Sequence, residues 1–401
     1  MARTPSAEGE SRRLTYSILV LIGGYALANT AMSVTLNHVI GEFRLTGAQE
    51  GSMASAISLG GMFALLSMPL LQGRVRKSAL LLLAGALQLL MMALTGLAPG
   101  YAVLLSACVL LGVSGGWIDT NCNSAVVDIN RGNSARYLGA LHGSYGIGAL
   151  ATPLIIQALL RGMSWRYAYL VLAALTGLAL LPLAFSARGL RDSADQRGMA
   201  EERLGRSEIA AYFKTPRNLL LLLASILYAC TQSGMLVFMV RFMTVRYHQE
   251  LLGATALSLF WVFATLSRFL APRLPLRPIR SFILGAVLAG VFQTAGVLSG
   301  SPYVMVASAA AVGLVSGHCL PMLINEAARG YPGRTSLPTS LMLFFNYVGR
   351  VLTPLVMAAL AVHISLSGSM LIPAGAGILA GIAGFAVSRA EREPVQPNET
   401  V

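Results

Sequence analysis

Twelve apolar runs, most of them 20 or more residues long, constrain this chain more than any other feature. They fall at 15–38, 50–71, 78–97, 101–128, 137–160, 166–187, 217–241, 252–271, 280–299, 303–326, 336–360 and 367–388. A run of about 20 residues, rising about 1.5 Å per residue as a helix, spans the roughly 30 Å hydrocarbon core of a bilayer. A soluble chain would need surface charge, about a quarter of its residues. Here 11% of 401 residues are charged and 55% are hydrophobic. The expected fold is all-α and polytopic, with twelve transmembrane helices. Arg3, Arg12 and Arg13 precede the first run, which is too long for a signal peptide and has no convincing cleavage site. It reads as an uncleaved first helix.

The net charge of +13 resembles a nucleic-acid signal until the charges are placed. Of the 29 basic residues, 23 lie in the N-terminus, the even-to-odd loops and the C-terminal tail. Five (Arg44, Arg161, Arg166, Arg241, Arg246) lie in the opposite loops, and Arg350 lies inside a helix. That asymmetry follows the positive-inside rule and puts both termini in the cytoplasm, in a plasma membrane or bacterial inner membrane. Aromatic residues do not interleave with the basic ones, so no nucleic-acid partner is expected. Cys108, Cys122, Cys230 and Cys319 all lie in apolar runs without CxxC spacing, and read as small buried hydrophobes. No metal site and no cofactor is expected.

An internal repeat divides the chain. A shift of 201 residues lays Gly112, Gly116, Gly132, Gly148 and Thr152-Pro153 on Gly313, Gly317, Gly333, Gly349 and Thr353-Pro354. A shift of 200 lays Phe63-Ala64-Leu65-Leu66-Ser67 on Phe263-Ala264-Thr265-Leu266-Ser267. Two parallel six-helix halves follow, residues 1–187 and 217–401, with 188–216 as a polar cytoplasmic linker of short amphipathic helical character. Parallel repeats of this kind rock about a site near the membrane midplane.

On this pattern the chain resembles the major facilitator superfamily over essentially its whole length. Three stretches are similar to the fucose-permease and sugar-symporter branch: Tyr25-Ala-Leu-Ala-Asn29-Thr30, Gly115-Gly-Trp-Ile-Asp119-Thr-Asn121-Cys-Asn123, and Leu141-His142-Gly-Ser-Tyr145-Gly-Ile-Gly148-Ala-Leu-Ala-Thr-Pro153. The resemblance implies a secondary transporter working by alternating access. Departures are visible. Gln72-Gly73-Arg74-Val75-Arg76-Lys77 keeps the glycine and the bases of the superfamily's loop between helices 2 and 3 but not its Asp. Met32 and Ser33 stand near where fucose permeases carry a carboxylate. The helix-4 arginine and the helix-5 Gly-Pro pattern of drug–proton antiporters are missing, which weakens a drug-efflux reading.

Ionisable groups inside a membrane cost about 3 kcal/mol or more and mark function by default. Asp119 lies roughly 13 Å from the cytoplasmic end of its helix, and His142 roughly 9 Å from the same side. A desolvated carboxylate holds its proton more tightly, as a proton carrier requires, so Asp119 with His142 is the expected coupling pair. Arg350, roughly 20 Å deep, keeps its charge and pairs with Asp119 or with an anionic group on the solute. Neither charge is repeated: under the 201 shift Asp119 falls on Leu320 and Arg350 on Ala149. The expected solute-binding set is Tyr25, Asn29, Ser33 and Asn37 at i, i+4 spacing on helix 1, with Asn121, Tyr145, Tyr228, Gln232, Asn346 and Arg350. Amides and phenols suit a hydroxyl-rich solute, although Asn and Gln also serve interhelical hydrogen bonds.

At the cytoplasmic rim, Asp128 is expected to pair with Arg74 or Arg136, and Glu326 with Arg268 or Arg329, latching that side when the protein opens outward. Phosphate-loop, zincin and nucleophile-elbow motifs are missing from any suitable context, so no enzyme is expected. The leading expectation is a monomeric, proton-linked secondary transporter of a small polar solute, sugar-like or an organic anion. The alternatives are an exporter of drugs or amphiphilic metabolites, and a receptor or intramembrane enzyme on the same scaffold.

Overall fold

The computed structural model describes residues 5–71, 75–130, 134–186, 206–331 and 336–390. Among them, twelve helices are long and apolar enough to cross a membrane. The first six spans are α1 (Pro5–Phe43), α2 (Gly47–Leu71), α3 (Lys77–Leu97), α4 (Tyr101–Ile129), α5 (Ser134–Leu160) and α6 (Trp165–Ser186). A short helix, α7 (Arg206–Lys214), occupies the end of the expected linker. The other six spans are α8 (Pro216–Tyr247), α9 (Glu250–Leu270), α10 (Pro278–Leu298), α11 (Pro302–Ser316) together with α12 (Cys319–Arg329), α13 (Ser336–Ser369) and α14 (Leu371–Ala390). Pro216, Pro278 and Pro302 open their helices at a position where the missing N–H costs nothing.

The neighbour pattern of the first six spans recurs in the second. α1 packs on α5, α2 on α4 and α3 on α6, as α8 packs on α13, α9 on α11 and α10 on α14. The repeated glycines have repeated work. A Cβ on Gly148 would collide with the carbonyl of Gly23, and one on Gly349 with that of Ile226, so both α1–α5 and α8–α13 close through a glycine. The repeated Thr-Pro pairs match as well: Thr152 Oγ1 donates to Gly148 O and Thr353 Oγ1 to Gly349 O, each at 2.7 Å.

Two segments depart from the hydropathy reading. The run 303–326 is one apolar stretch but two helices, α11 and α12, broken at Gly317-His318. Backbone groups freed in a membrane must find partners. Tyr228 Oη donates to Ser316 O at 2.7 Å and Arg268 Nε to Gly317 O at 3.1 Å. The His318 ring lies between the hydroxyls of Ser267 and Ser281, 2.8 Å from each. The eleventh span continues past its expected end at 360 to Ser369, with Ser365 non-helical at φ 73° and ψ 160°.

The interior is divided differently at its two ends. At the end carrying the α1–α2 and α8–α9 connections, one apolar cluster runs through both halves, from Met32, Met53 and Trp165 to Phe238, Phe242 and Phe260. At the end carrying the N-terminus there are two separate clusters. One, with Ile18, Tyr25, Ile118 and Leu141, belongs to the first half. The other, with Leu221, Tyr228, Phe282 and Leu323, belongs to the second. The halves are therefore packed together at one end and apart in their cores at the other.

Candidate functional site

The polar residues of the interior gather where the joined core meets the two separate ones. Tyr145 on α5 is the hub. Asn29 Nδ2 on α1 donates to its hydroxyl at 2.6 Å. Its ring lies 5.6 Å from that of Tyr25 and 5.5 Å, edge-on, from that of Trp261 on α9. The second contact crosses between the halves. Ser33, one turn beyond Asn29, is half-buried on the same helix.

Asp119 on α4 is half-buried and accepts from Asn123 Nδ2 at 3.0 Å. Arg350 on α13 is also half-buried, with its guanidinium 5.2 Å from the centre of the Tyr347 ring. The Tyr347 ring in turn lies where a Cβ on Gly61 of α2 would be, so only a glycine there admits it. The charges of Asp119 and Arg350 act on one another and on Tyr25, Tyr145 and Tyr347. Among the described residues, however, they form no ion pair, and the guanidinium has no hydrogen bond. The expected Asp119–His142 contact is not made either: His142 is exposed on α5.

Several expected solute ligands are occupied elsewhere. Asn121 is buried against α2, its amide on Trp117 O at 2.8 Å and near Met68 Sδ at 3.8 Å. Tyr228 is buried and spends its hydroxyl on the α11–α12 break. Gln232 reaches Ser316 Oγ at 3.4 Å, and buried Asn346 reaches Ser225 O at 3.4 Å. These four join helices, the ordinary use of polar groups in membranes. Asn37 belongs to the joined end, where Arg241 Nη1 donates to its Oδ1 at 3.3 Å.

Of the expected rim pairs, Glu326 with Arg329 is present and the others are replaced. Asp128 is held by Lys77 Nζ at 2.6 Å, which also donates to Ser124 Oγ, while Arg136 is exposed. Arg74 lies outside the described residues. Glu326, fully buried, takes Arg217 at 2.7 Å and Arg329 at 3.2 Å. Arg268 instead caps Gly317 O. Each of these pairs stays within its own half.

Sequence reasoning missed the latch at the other end. Glu50 of α2, 6% exposed, meets Arg241 of α8 across the halves, Nη2 donating to Oε2 at 2.7 Å. Nearby, His38 Nδ1 lies 3.8 Å from Glu250 Oε1, and Gln157 Nε2 donates to the same oxygen at 2.9 Å. Ser55 Oγ donates to Val351 O at 2.7 Å, tying α2 to α13. Glu50 and Arg241 stood at the edges of apolar runs, where charge is routine. Tyr347 had a readable signal, three residues before Arg350 and so on its helix face. Trp261 had none, being one aromatic in an apolar run.

The sequence matches no curated protein. Solved structures match the fold over almost the whole chain. A bacterial homolog of the human lysosomal transporter Spinster, in an inward-facing and occupied conformation, has a TM-score of 0.70 at 16% identity, over 94% of this chain and 96% of its own. A POT family transporter in complex with a thioalcohol-conjugated peptide has 0.77 at 13%, over 94% and 96%. A mutant of the nucleoside transporter NupG has 0.78 at 13%, over 94% and 99%. The family model described as Major Facilitator Superfamily matches residues 17–280, from the first span into the start of α10. A match over that much of the sequence, on a chain folded as these transporters are, makes it an integral membrane protein of the Major Facilitator Superfamily.

Proposed function

We propose that this protein is a proton-linked secondary transporter moving a small polar solute, sugar-like or an organic anion, by alternating access. Both termini are taken as cytoplasmic in a plasma membrane, on the charge bias of the loops. The observation that carries the reading is the divided interior: one core shared by the halves at the outer end, two at the inner end, and Asn29, Tyr145, Asp119 and Arg350 between them. Rocking of the halves would open the outer end while joining the inner one. A polar, tyrosine-rich junction supports a polar solute over an amphiphile. Asp119 is the carboxylate for coupling, its proton affinity changing as Arg350 approaches or withdraws.

The test uses proteoliposomes loaded with a pH-sensitive dye and challenged with sugars, organic acids and nucleosides. At least one class should drive proton entry in the wild type and none in Asp119→Asn. Solute uptake without proton movement would leave a facilitator. No uptake of any class, with labels showing one fixed state, would remove transport itself.

A further inference from the structure

Two half-buried arginines and one half-buried carboxylate lie on helices that border the junction between the halves: Arg350 on α13, Arg268 on α9 and Asp119 on α4. The Arg350 guanidinium has no hydrogen bond or ion pair among the described residues, only the Tyr347 ring beneath it. Arg268, half-buried on α9, uses Nε on Gly317 O at 3.1 Å. That bond fixes the plane of the guanidinium, and its two terminal nitrogens have no partner among the described residues. Trp261, two turns before Arg268 on α9, abuts the Tyr145 ring at 5.5 Å, and Thr265 between them lies where a Cβ on Gly146 of α5 would be. Arg268 thus continues the α9 face that packs on the hub, and its charge, like that of Arg350, bears on Asp119 and Tyr145. Asp119 is further committed to Asn123.

Charge in such a place is expensive unless it is balanced. Neither arginine can shed its proton. With Asp119 ionised, the junction keeps one positive charge in excess, and with Asp119 protonated it keeps two. A fork of N–H donors held in a fixed plane suits a planar two-oxygen anion.

We propose that the solute of this site is an organic anion bearing a carboxylate, held between Arg350 and Arg268, with neutral sugars excluded as the main cargo. Arg268 is thereby a specificity-determining residue of the solute site rather than a gating one. This rests on the reading of the junction as the solute site. The tyrosines and Trp261 supply the walls, packing the carbon skeleton while the arginines hold the charged end.

The test does not require the solute to be known. In a Trp117→Phe/Trp165→Phe background, Trp261 is the sole tryptophan, and it abuts Tyr145. Its quenching by iodide, caesium and acrylamide reports the charge and the openness of the junction separately. Iodide should quench several-fold better than caesium. Arg350→Gln and Arg268→Gln should each lower the iodide constant at least twofold and leave acrylamide unchanged. Arg→Lys at either position should restore most of the iodide effect, which separates charge from misfolding. Glucuronate should protect Trp261 from iodide where glucose at the same concentration does not. Iodide quenching indifferent to both arginines, or equal protection by glucose, overturns the anion assignment and leaves the junction as a wet cavity. Failure of acrylamide itself to reach Trp261 removes the junction as an open solute site and the anion with it.

Discussion

Arg241 and Glu50, 191 residues apart in the chain, tie the halves together at the end carrying the α1–α2 and α8–α9 connections, the outer end in the proposed topology. Nη2 donates to Oε2 at 2.7 Å, and Nε lies 2.6 Å from Oε1 outside hydrogen-bonding geometry. Their side chains are 22% and 8% exposed, so the pair is largely withdrawn from water. Breaking such a pair strands a buried charge, at a cost of several kcal/mol when burial is complete and less here.

If the proposed topology holds, Glu50→Gln or Arg241→Gln should weaken closure of that end by about 1–3 kcal/mol, about 5- to 150-fold in population. Spin labels at Ala48 and Val245 should report longer outer distances, with inner distances between Val127 and Asn325 shortening. The charge swap Glu50→Arg/Arg241→Glu should recover part of the loss. Unchanged distances in both single variants would leave the pair without a gating role.

Glu326→Gln provides the contrast. Its partners Arg217 and Arg329 lie in its own half, so the loss should lower thermal stability without moving the outer distance. A shift of the gate comparable to that of Glu50→Gln would contradict a within-half role.

Asp119→Asn should abolish accumulation driven by a pH gradient while leaving solute binding or exchange partly intact. Uphill accumulation with the wild-type pH profile would make Asp119 structural.

Tyr145→Phe removes the acceptor of the 2.6 Å bond from Asn29 but keeps the ring against Trp261. The expected loss is about 1 kcal/mol, about fivefold in apparent solute affinity. Asn29→Ala should give a similar loss, and the double variant should lose less than the sum. Fully additive losses would mean the two residues act apart.

Gly148→Val and Gly349→Val should each destabilise by about 1–3 kcal/mol, because each adds atoms where two helix backbones touch. Gly143→Ala, one turn away with nothing within 4 Å of the added carbon, should leave the melting temperature unchanged. Equal effects at all three would disconnect the repeat from packing.

The twelve spans, the repeat, and the placing of Asp119 and Arg350 within apolar helices are all legible in the sequence. Each depends on a property that runs along one dimension: a helix must be apolar for the thickness of the bilayer, and an internal charge interrupts that run visibly. Which way a side chain faces is a different matter. Lipid and protein interior are equally apolar, so the periodicity that orients a helix in water is weak here. Asn346 and Tyr347 are adjacent on α13, yet one bonds Ser225 O within its half and the other lies beside Gly61 of the opposite half. Only packing separates them. The break at Gly317-His318 was hidden because its freed carbonyls are satisfied by Tyr228 and Arg268, partners about 50 to 90 residues distant. The Glu50–Arg241 latch was hidden because a charge at a helix end is ordinary until the fold sets its partner against it.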